Sequence, residues 1–235
     1  IQKKKLGQNK IIWLSKIEKI KKAPTLFIAN EFFDSIPIKQ FIKRKDNWFE
    51  KFVNISDKNK AFFFEKKIKL KNFEKKIDIK ISKGQNFIEY SDIGINYLKD
   101  ISKMIKLNTG GLLMIDYGYN NKKMKNTLQA VVNHKFANIL ENIGNADITH
   151  CINFDLFKRL INQIDGLEYN ITSQKKFLIK MGINERAEII SRNQNFSKKV
   201  DIYYRLKRLT DEKQMGSLFK VMMIKNRNNK FKVGF

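Results

Sequence analysis

The chain has 235 residues, 42% of them hydrophobic with 19 phenylalanines, which suffices for one large domain, or a domain with a sizeable insertion, around a real core. Lys+Arg 48 against Asp+Glu 23 gives a net charge of +25, but the lysines run along the whole chain and no nucleic-acid-reading motif accompanies them. The charge therefore reads as the codon bias of a genome rich in A and T, and nucleic acid is not the expected partner. Cys151 is the only cysteine, so an internal disulfide is excluded and a reducing compartment fits. With His134 and His150 as the only histidines, no zinc-type cluster can be assembled, so no metal is expected. No apolar run approaches membrane-spanning length.

The first residue is Ile1, not an initiator methionine, and Ile1 to Leu6 reads as the end of a helix closed by Gly7. The expectation is that part of the natural protein precedes it. Lys10 to Leu14 reads as a short buried strand, Ser15 to Lys22 as a connecting turn or helix, and Thr25 to Ala29 as a second strand, parallel to the first. The run from Thr25 stops at Asn30 and is followed by Glu31 and Asp34, two phenylalanines between them, and by Pro37. An apolar run bounded by turn residues fits a strand buried on both faces. Ligands of open α/β sheets bind beyond the carboxyl ends of such strands, which makes Asn30, Glu31 and Asp34 the leading candidates for chemistry. The bland alternative is that Glu31 or Asp34 caps the next element.

From Ile38 to about residue 86 the pattern predicts a β-meander with lysine on its outer faces and turns at Lys45–Asn47 and Ser56–Asn59; Ile77, Ile79 and Ile81 suggest one more strand. Ser91-Asp92 can cap a helix with Tyr97, Leu98, Ile101, Met104 and Ile105 at helical spacing. Gly110-Gly111 ends that connection, and Leu112–Ile115 is another apolar strand terminated by Asp116, Tyr117 and Gly118. Residues 119–150 read as loop. Asn153 caps a further helix, two short helices meet at Gly182, and another starts at Ser197 with Val200, Tyr203, Leu206 and Leu209 inward. Met215 to Ile224 looks like a final strand.

These segments, taken together, resemble the MidA family of S-adenosylmethionine-dependent methyltransferases. The resemblance starts with Asn-Glu-Phe-Phe-Asp-Ser-Ile-Pro at 30–37. It continues in order through Gly110-Gly111 to Asp116-Tyr-Gly118, Thr127-Leu-Gln129, His134-Lys135, Gly144 to Thr149, Gln174, Phe177-Leu178, Met181-Gly-Ile183 with Arg186, and Met215-Gly with Phe219-Lys220. The family's glycine-rich turn after its first strand, and the acidic residue after its second, have no counterpart here. The resemblance places Lys10–Leu14 as the third strand, Thr25–Ala29 as the fourth and Leu112–Ile115 as the fifth.

The resemblance implies an α/β fold: a partial Rossmann-like class I methyltransferase sheet with a β-meander insertion and a mostly helical C-terminal cap. Residues 1–118 would form the core without its first two strands, with the meander at about 38–86. Residues 119–214 would recognise substrate, and 215–235 would hold the last core strand and tail. It further implies S-adenosyl-L-methionine as cofactor and arginine methylation of a protein, a respiratory complex I subunit, in a bacterial cytoplasm or a mitochondrial matrix. A homodimer is left open. Glu31 and Asp34 would be catalytic: paired carboxylates grip a planar guanidinium, offset the charge of a neighbouring sulfonium and can take up the released proton. Asn30 and Phe32 would touch the cofactor. Asp116, Tyr117 and His134 would contact substrate, although Asp116 can equally anchor a loop and a lone loop histidine is more often structural. A non-catalytic assembly or binding factor of the same fold is the competing reading.

Overall fold

The computed structural model describes residues 6–7, 11–141 and 143–235. A 3₁₀ turn at Ile17–Lys19 precedes β1 (Thr25–Asn30), and a second, Phe33–Ser35, precedes β2 (Lys39–Arg44), β3 (Asn47–Ile55) and β4 (Ala61–Ile68). Then come α1 (Lys71–Ile77), β5 (Phe87–Tyr90), α2 (Asp92–Asn108) and β6 (Gly110–Tyr119). The short strands β7 (Gln129–Val132), β8 (Lys135–Ala137), β9 (Asp147–Thr149) and β10 (Ile152–Asn153) lead into α3 (Phe154–Ile161) and β11 (Leu167–Ser173). Four helices, α4 (Gln174–Lys180), α5 (Ile183–Ser191), α6 (Phe196–Thr210) and α7 (Met215–Leu218), precede β12 (Phe219–Asn226).

The central sheet has the order β1-β6-β12-β11, with β10 added at the end of β6. Strand β6 is parallel to β1 and to β10 and antiparallel to β12, and β12 is antiparallel to β11. The crossover from β1 to β6 carries the whole second sheet, β4-β3-β2-β5, together with α2. A third sheet, β8-β7-β9, follows β6. The fold is thus the expected α/β class.

Helix α2 forms where its sequence says it should. Ser91 Oγ accepts from Gly94 N at 2.9 Å and donates to Pro37 O at 2.7 Å, so one hydroxyl caps the helix and ties it to the segment after β1. Ile95, Leu98, Ile101 and Ile105 recur on one face and are buried against the sheet. At about 1.5–3 kcal/mol for each buried aliphatic side chain, this face outweighs the weak helix propensity of its isoleucines and Gly94. Asn153 caps α3 in the same way, accepting from Asp155 N at 3.0 Å and Leu156 N at 3.2 Å. Gly110 lets β6 start beside β1: a Cβ there would stand 2.1 Å from Thr25 O.

Several expectations are corrected. Lys10 lies outside the described residues, and 11–14 form no strand; Ile12, Trp13 and Leu14 are exposed, so no burial drives their pairing. The parallel neighbour of β1 is β6. Strand β1 is not buried on both faces: Leu26 and Ile28 are 62% and 67% exposed, because among the described residues nothing packs over that face. Ile77, Ile79 and Ile81 are buried as expected but not in a strand; Ile77 ends α1, whose left-handed cap Asp78 turns the chain. The fourth strand of the meander is Phe87–Tyr90, paired with β2. Gly110-Gly111 open β6 rather than end a loop, and Asp116, Tyr117 and Gly118 lie within β6, held by pairing with β10 and β12. Residues 129–149 contain a small sheet where loop was expected. In α6 no residue is fully buried: Val200 and Tyr203 are exposed, while Leu206 and Leu209 are half-buried on the side of α5. The last strand begins at Phe219, after α7 has used Met215–Leu218.

Candidate functional site

At the carboxyl ends of β1 and β6 the chain makes a sharp reversal. Asn30 ends β1 and is exposed. Glu31 follows in the left-handed region, φ 46°, and donates its N–H to Ile115 O at 2.9 Å. A non-glycine residue there costs about 1 kcal/mol or more and needs surrounding contacts to hold it. Those contacts come from β6. The Asp116 carboxylate is fully buried; Oδ2 accepts from Phe33 N at 3.0 Å and Asp34 N at 3.3 Å, while Oδ1 accepts from Tyr117 N at 3.0 Å. Asp116 is therefore the cap of the Phe33–Ser35 turn.

Asp34 is buried (4% exposed), and its Oδ1 has no hydrogen-bond partner among the described residues. Burial pushes its carboxyl up; the neighbouring Tyr117 hydroxyl partly offsets this, and the charge of Asp147 adds to it. Burial, then the charge of Asp34, raise Asp116 to about 7. The Tyr117 phenol is itself raised, first by burial, and faces Thr149, Asp34 and Gln129. Gln129 Nε2 donates to Thr149 Oγ1 at 3.1 Å. His150 closes the group: its backbone N–H donates to the backbone carbonyl of Asp34 at 3.1 Å, and burial lowers its imidazole to about 4, so it is neutral at pH 7.

The approach of His150 depends on Gly118. A Cβ at that position would stand 2.2 Å from Ile152 O, so only glycine lets β10 lie against the end of β6. A second buried network holds the same segment. Glu89 accepts from Gln40 Nε2 at 2.6 Å and from the Thr127 hydroxyl, and Thr127 Oγ1 accepts from Cys151 N at 2.9 Å. Burial raises Glu89 as well.

The structure thus brings Asp34, Asp116 and Tyr117 together. Glu31 and Asn30 lie exposed at the start of the same reversal, while Phe32 packs edge-on against Phe33 and Tyr97 with centroids at 5.2 and 5.5 Å. Glu31 and Asp34 do not share a helical face, because the turn starts at Phe33, after the left-handed residue. His134 sits exposed with Asn133 at the tip of the β7–β8 hairpin, both at positive φ. The histidine that meets Asp34 is His150, which sequence reading passed over. Its position directly after Asp147-Ile-Thr149 and just before the helix cap Asn153 was the available signal.

Beyond Asp34 opens a cleft of about 460 Å³ between the meander sheet and the β7–β9 sheet. Among the described residues no group of three or more His, Cys, Asp or Glu could hold a metal ion, and no helix is long and apolar enough to cross a membrane.

Residues 1–173 match the sequence profile of a family described as "Putative S-adenosyl-L-methionine-dependent methyltransferase". The chain is 31% identical over 186 residues to the Caenorhabditis elegans protein named "Protein arginine methyltransferase NDUFAF7 homolog, mitochondrial", covering 78% of this chain and 43% of that one. It is 27% identical over 215 residues to human "Protein arginine methyltransferase NDUFAF7, mitochondrial", covering 89% of this chain and 47% of that one. The chain spans about half the length of the curated relatives it matches. Its fold is that of a Burkholderia thailandensis crystal structure at TM-score 0.81 and 20% identity, covering 99% of this chain and 64% of the other. A further Burkholderia thailandensis structure, bound to S-adenosyl-homocysteine, superposes at TM-score 0.76 and 19% identity over 95% of this chain and 58% of that one. With the profile matching residues 1–173, the chain belongs to this family of S-adenosyl-L-methionine-dependent methyltransferases.

Proposed function

We propose that the protein is a protein arginine methyltransferase, with a respiratory complex I subunit as its target, and that the reversal after β1 holds the arginine. The observation that carries this is the buried Asp34 Oδ1 without a partner, at the carboxyl ends of two parallel strands. A buried carboxylate oxygen left unpaired is costly, and a guanidinium supplies the missing donors as charge-assisted hydrogen bonds. Relatives named arginine methyltransferases, each matched by this chain over less than its whole length, support the same substrate class.

S-adenosyl-L-methionine, when bound, supplies an electrophilic methyl group. The described residues fit part of it: Glu31 offers an exposed carboxylate toward a sulfonium, Asn30 an amide, and Phe32, 40% exposed, a ring face. The remaining work falls to this chain's own groups. Asp34 binds one edge of the guanidinium, and Glu31, at the open side of the reversal, offsets positive charge. Asp116 acts on Asp34 rather than on substrate, since its oxygens are taken by the backbone of the turn. Tyr117 and neutral His150 flank Asp34 and limit water around it. The proton leaving the guanidinium goes to Asp34, a carboxylate whose acidity burial already reduces.

The test is transfer of labelled methyl from S-adenosyl-L-methionine to a protein arginine by the full-length protein. Asp34→Asn and Glu31→Gln should each lower kcat about 100-fold or more, the usual scale for loss of a transition-state contact. Unchanged transfer in either variant removes that residue from the reaction. Capture of substrate with no methyl transfer by the wild type assigns the non-catalytic binder instead.

A further inference from the structure

The lining of the cleft beyond Asp34 contrasts with the charge of the chain as a whole. Lysine and arginine make up 48 of the 235 residues, yet neither lines it. Its floor holds Asp34, whose unpartnered Oδ1 is itself buried, beside Thr149 and neutral His150. Its walls are aliphatic and aromatic: Ile36 and Ile38 after the turn, Val53 and Phe63 paired across β3 and β4, Leu128 just before β7, and Ile148 on β9. Val53 and Ile148 are 54% and 44% exposed, so the walls are open apolar surface and not sealed core. The charges that act with Asp34 are further acids, Asp147 and Asp116.

A volume of about 460 Å³ lies in the range of ~300–1,000 Å³ typical of ligand pockets and exceeds what one arginine stem fills. Lys51 Nζ stands over the Phe63 ring, 3.7 Å from its centroid, and an apolar-walled cleft with an acidic floor suits a cation carried on an apolar chain and flanked by apolar groups.

Resting on the arginine-methyltransferase reading, we propose that this cleft docks an extended protein segment in which bulky aliphatic side chains flank the target arginine. The arginine reaches Asp34. Its neighbours pack between Val53 and Phe63 on one side and Leu128 and Ile148 on the other. The cleft then sets which arginines are chosen, by demanding aliphatic neighbours and rejecting acidic ones, which would face Asp34 and Asp147.

Binding of fluorescein-labelled nine-residue peptides to the full-length protein, followed by anisotropy without cofactor, tests this apart from methyl transfer. A peptide with a central arginine between leucines should bind at least 10-fold tighter than its serine-flanked twin. It should also bind at least 10-fold tighter than the same peptide with neutral citrulline in place of arginine. Val53→Asp and Ile148→Asp, both at surface positions, should each weaken the leucine peptide at least 10-fold with an unchanged circular dichroism spectrum. Tyr204→Asp, at a position 67% exposed on α6, should leave binding unchanged. Equal affinity for the three peptides, or full affinity in both wall variants, overturns the proposal. Methyl transfer without the leucine preference overturns the docking inference alone. The preference without methyl transfer by the wild type supports the docking and overturns the enzymatic reading.

Discussion

Replacing Asp116 by Asn should change how stability depends on pH. Asp116 is fully buried, and burial followed by the charge of Asp34 lifts its carboxyl to about 7, against about 3.9 in the unfolded chain. Between those values the folded state holds a proton that the unfolded state has lost. The unfolded chain binds fewer protons there, so this group's contribution to stability is complete below pH ~4 and falls as pH rises toward 7. Three pH units at ~1.36 kcal/mol each set a ceiling of about 4 kcal/mol. Relaxation around Asp34 lowers the expectation to about 2–4 kcal/mol.

His150 works in the opposite direction. Its imidazole is lowered to about 4 in the fold, so its contribution is present above pH ~6.5 and is lost as pH falls toward 4. The two effects oppose each other in the wild type below pH 6.5, which is why the difference between proteins is the informative quantity. Urea unfolding of wild type and Asp116→Asn at half-unit steps from pH 5 to 8 supplies it. Asn keeps the size of Asp116 but can accept at only one of its two ends, so Tyr117 N or the Phe33–Asp34 pair loses its acceptor, at about 1–3 kcal/mol at low pH. That deficit should shrink as pH rises and the wild type pays to ionise its buried carboxyl. Parallel stability curves for the two proteins would refute the reasoning.

Three other substitutions test the local geometry. Glu31→Gly should be more stable than Glu31→Gln by about 1 kcal/mol, because φ 46° suits glycine, while both lack the carboxylate; equal unfolding midpoints would deny strain at Glu31. Gly118→Ala should cost about 3 kcal/mol by thermal unfolding, since the added methyl meets the backbone of Ile152 and β10 must shift with His150; a change below 1 kcal/mol would show that β10 moves freely. Ser91→Ala should cost about 1–2 kcal/mol in urea, losing both the cap of α2 and the donor to Pro37 O; no change would mean that water replaces the hydroxyl.

What the sequence made legible was local and periodic. Ser91 and Asn153 announced their helices because capping needs only the residues that follow. The apolar face of α2 and the strand at Thr25–Asn30 were readable for the same reason. Partners were not readable. Nothing near Thr25 says that β6, some 85 residues on, is its neighbour, or that Leu26 and Ile28 face outward. Ile77, Ile79 and Ile81 alternate as a strand does, yet they are buried one by one along α1 and a loop, since burial alone does not require pairing. In the site, Asp116 was visible as a strand-end acid, but its role as the cap of a turn 82 residues earlier exists only once β1 and β6 pair. His150 was hidden because its neighbours are set by the close approach that Gly118 allows.

The left-handed Glu31 also decides how two carboxylates so close in sequence divide their work. In a continuous helical turn, residues three apart share a face and repel each other there. Here the chain reverses hand between them. Glu31 stays on the open side with Asn30, and Asp34 turns under to the floor of the cleft. The backbone strain at Glu31 is held by Asp116 and by Ile115 O, both on β6, so the separation of the acids is fixed by the central sheet rather than by the loop itself. A ligand that contacts both must lie across the reversal, one end toward the open side and the other toward the cleft. A guanidinium, with five N–H donors in a rigid plane, presents donors on both edges and meets that requirement, whereas an ammonium presents a point charge to one acid at a time. On the proposed arginine reading, lysine peptides should therefore bind the cleft more weakly than their arginine twins.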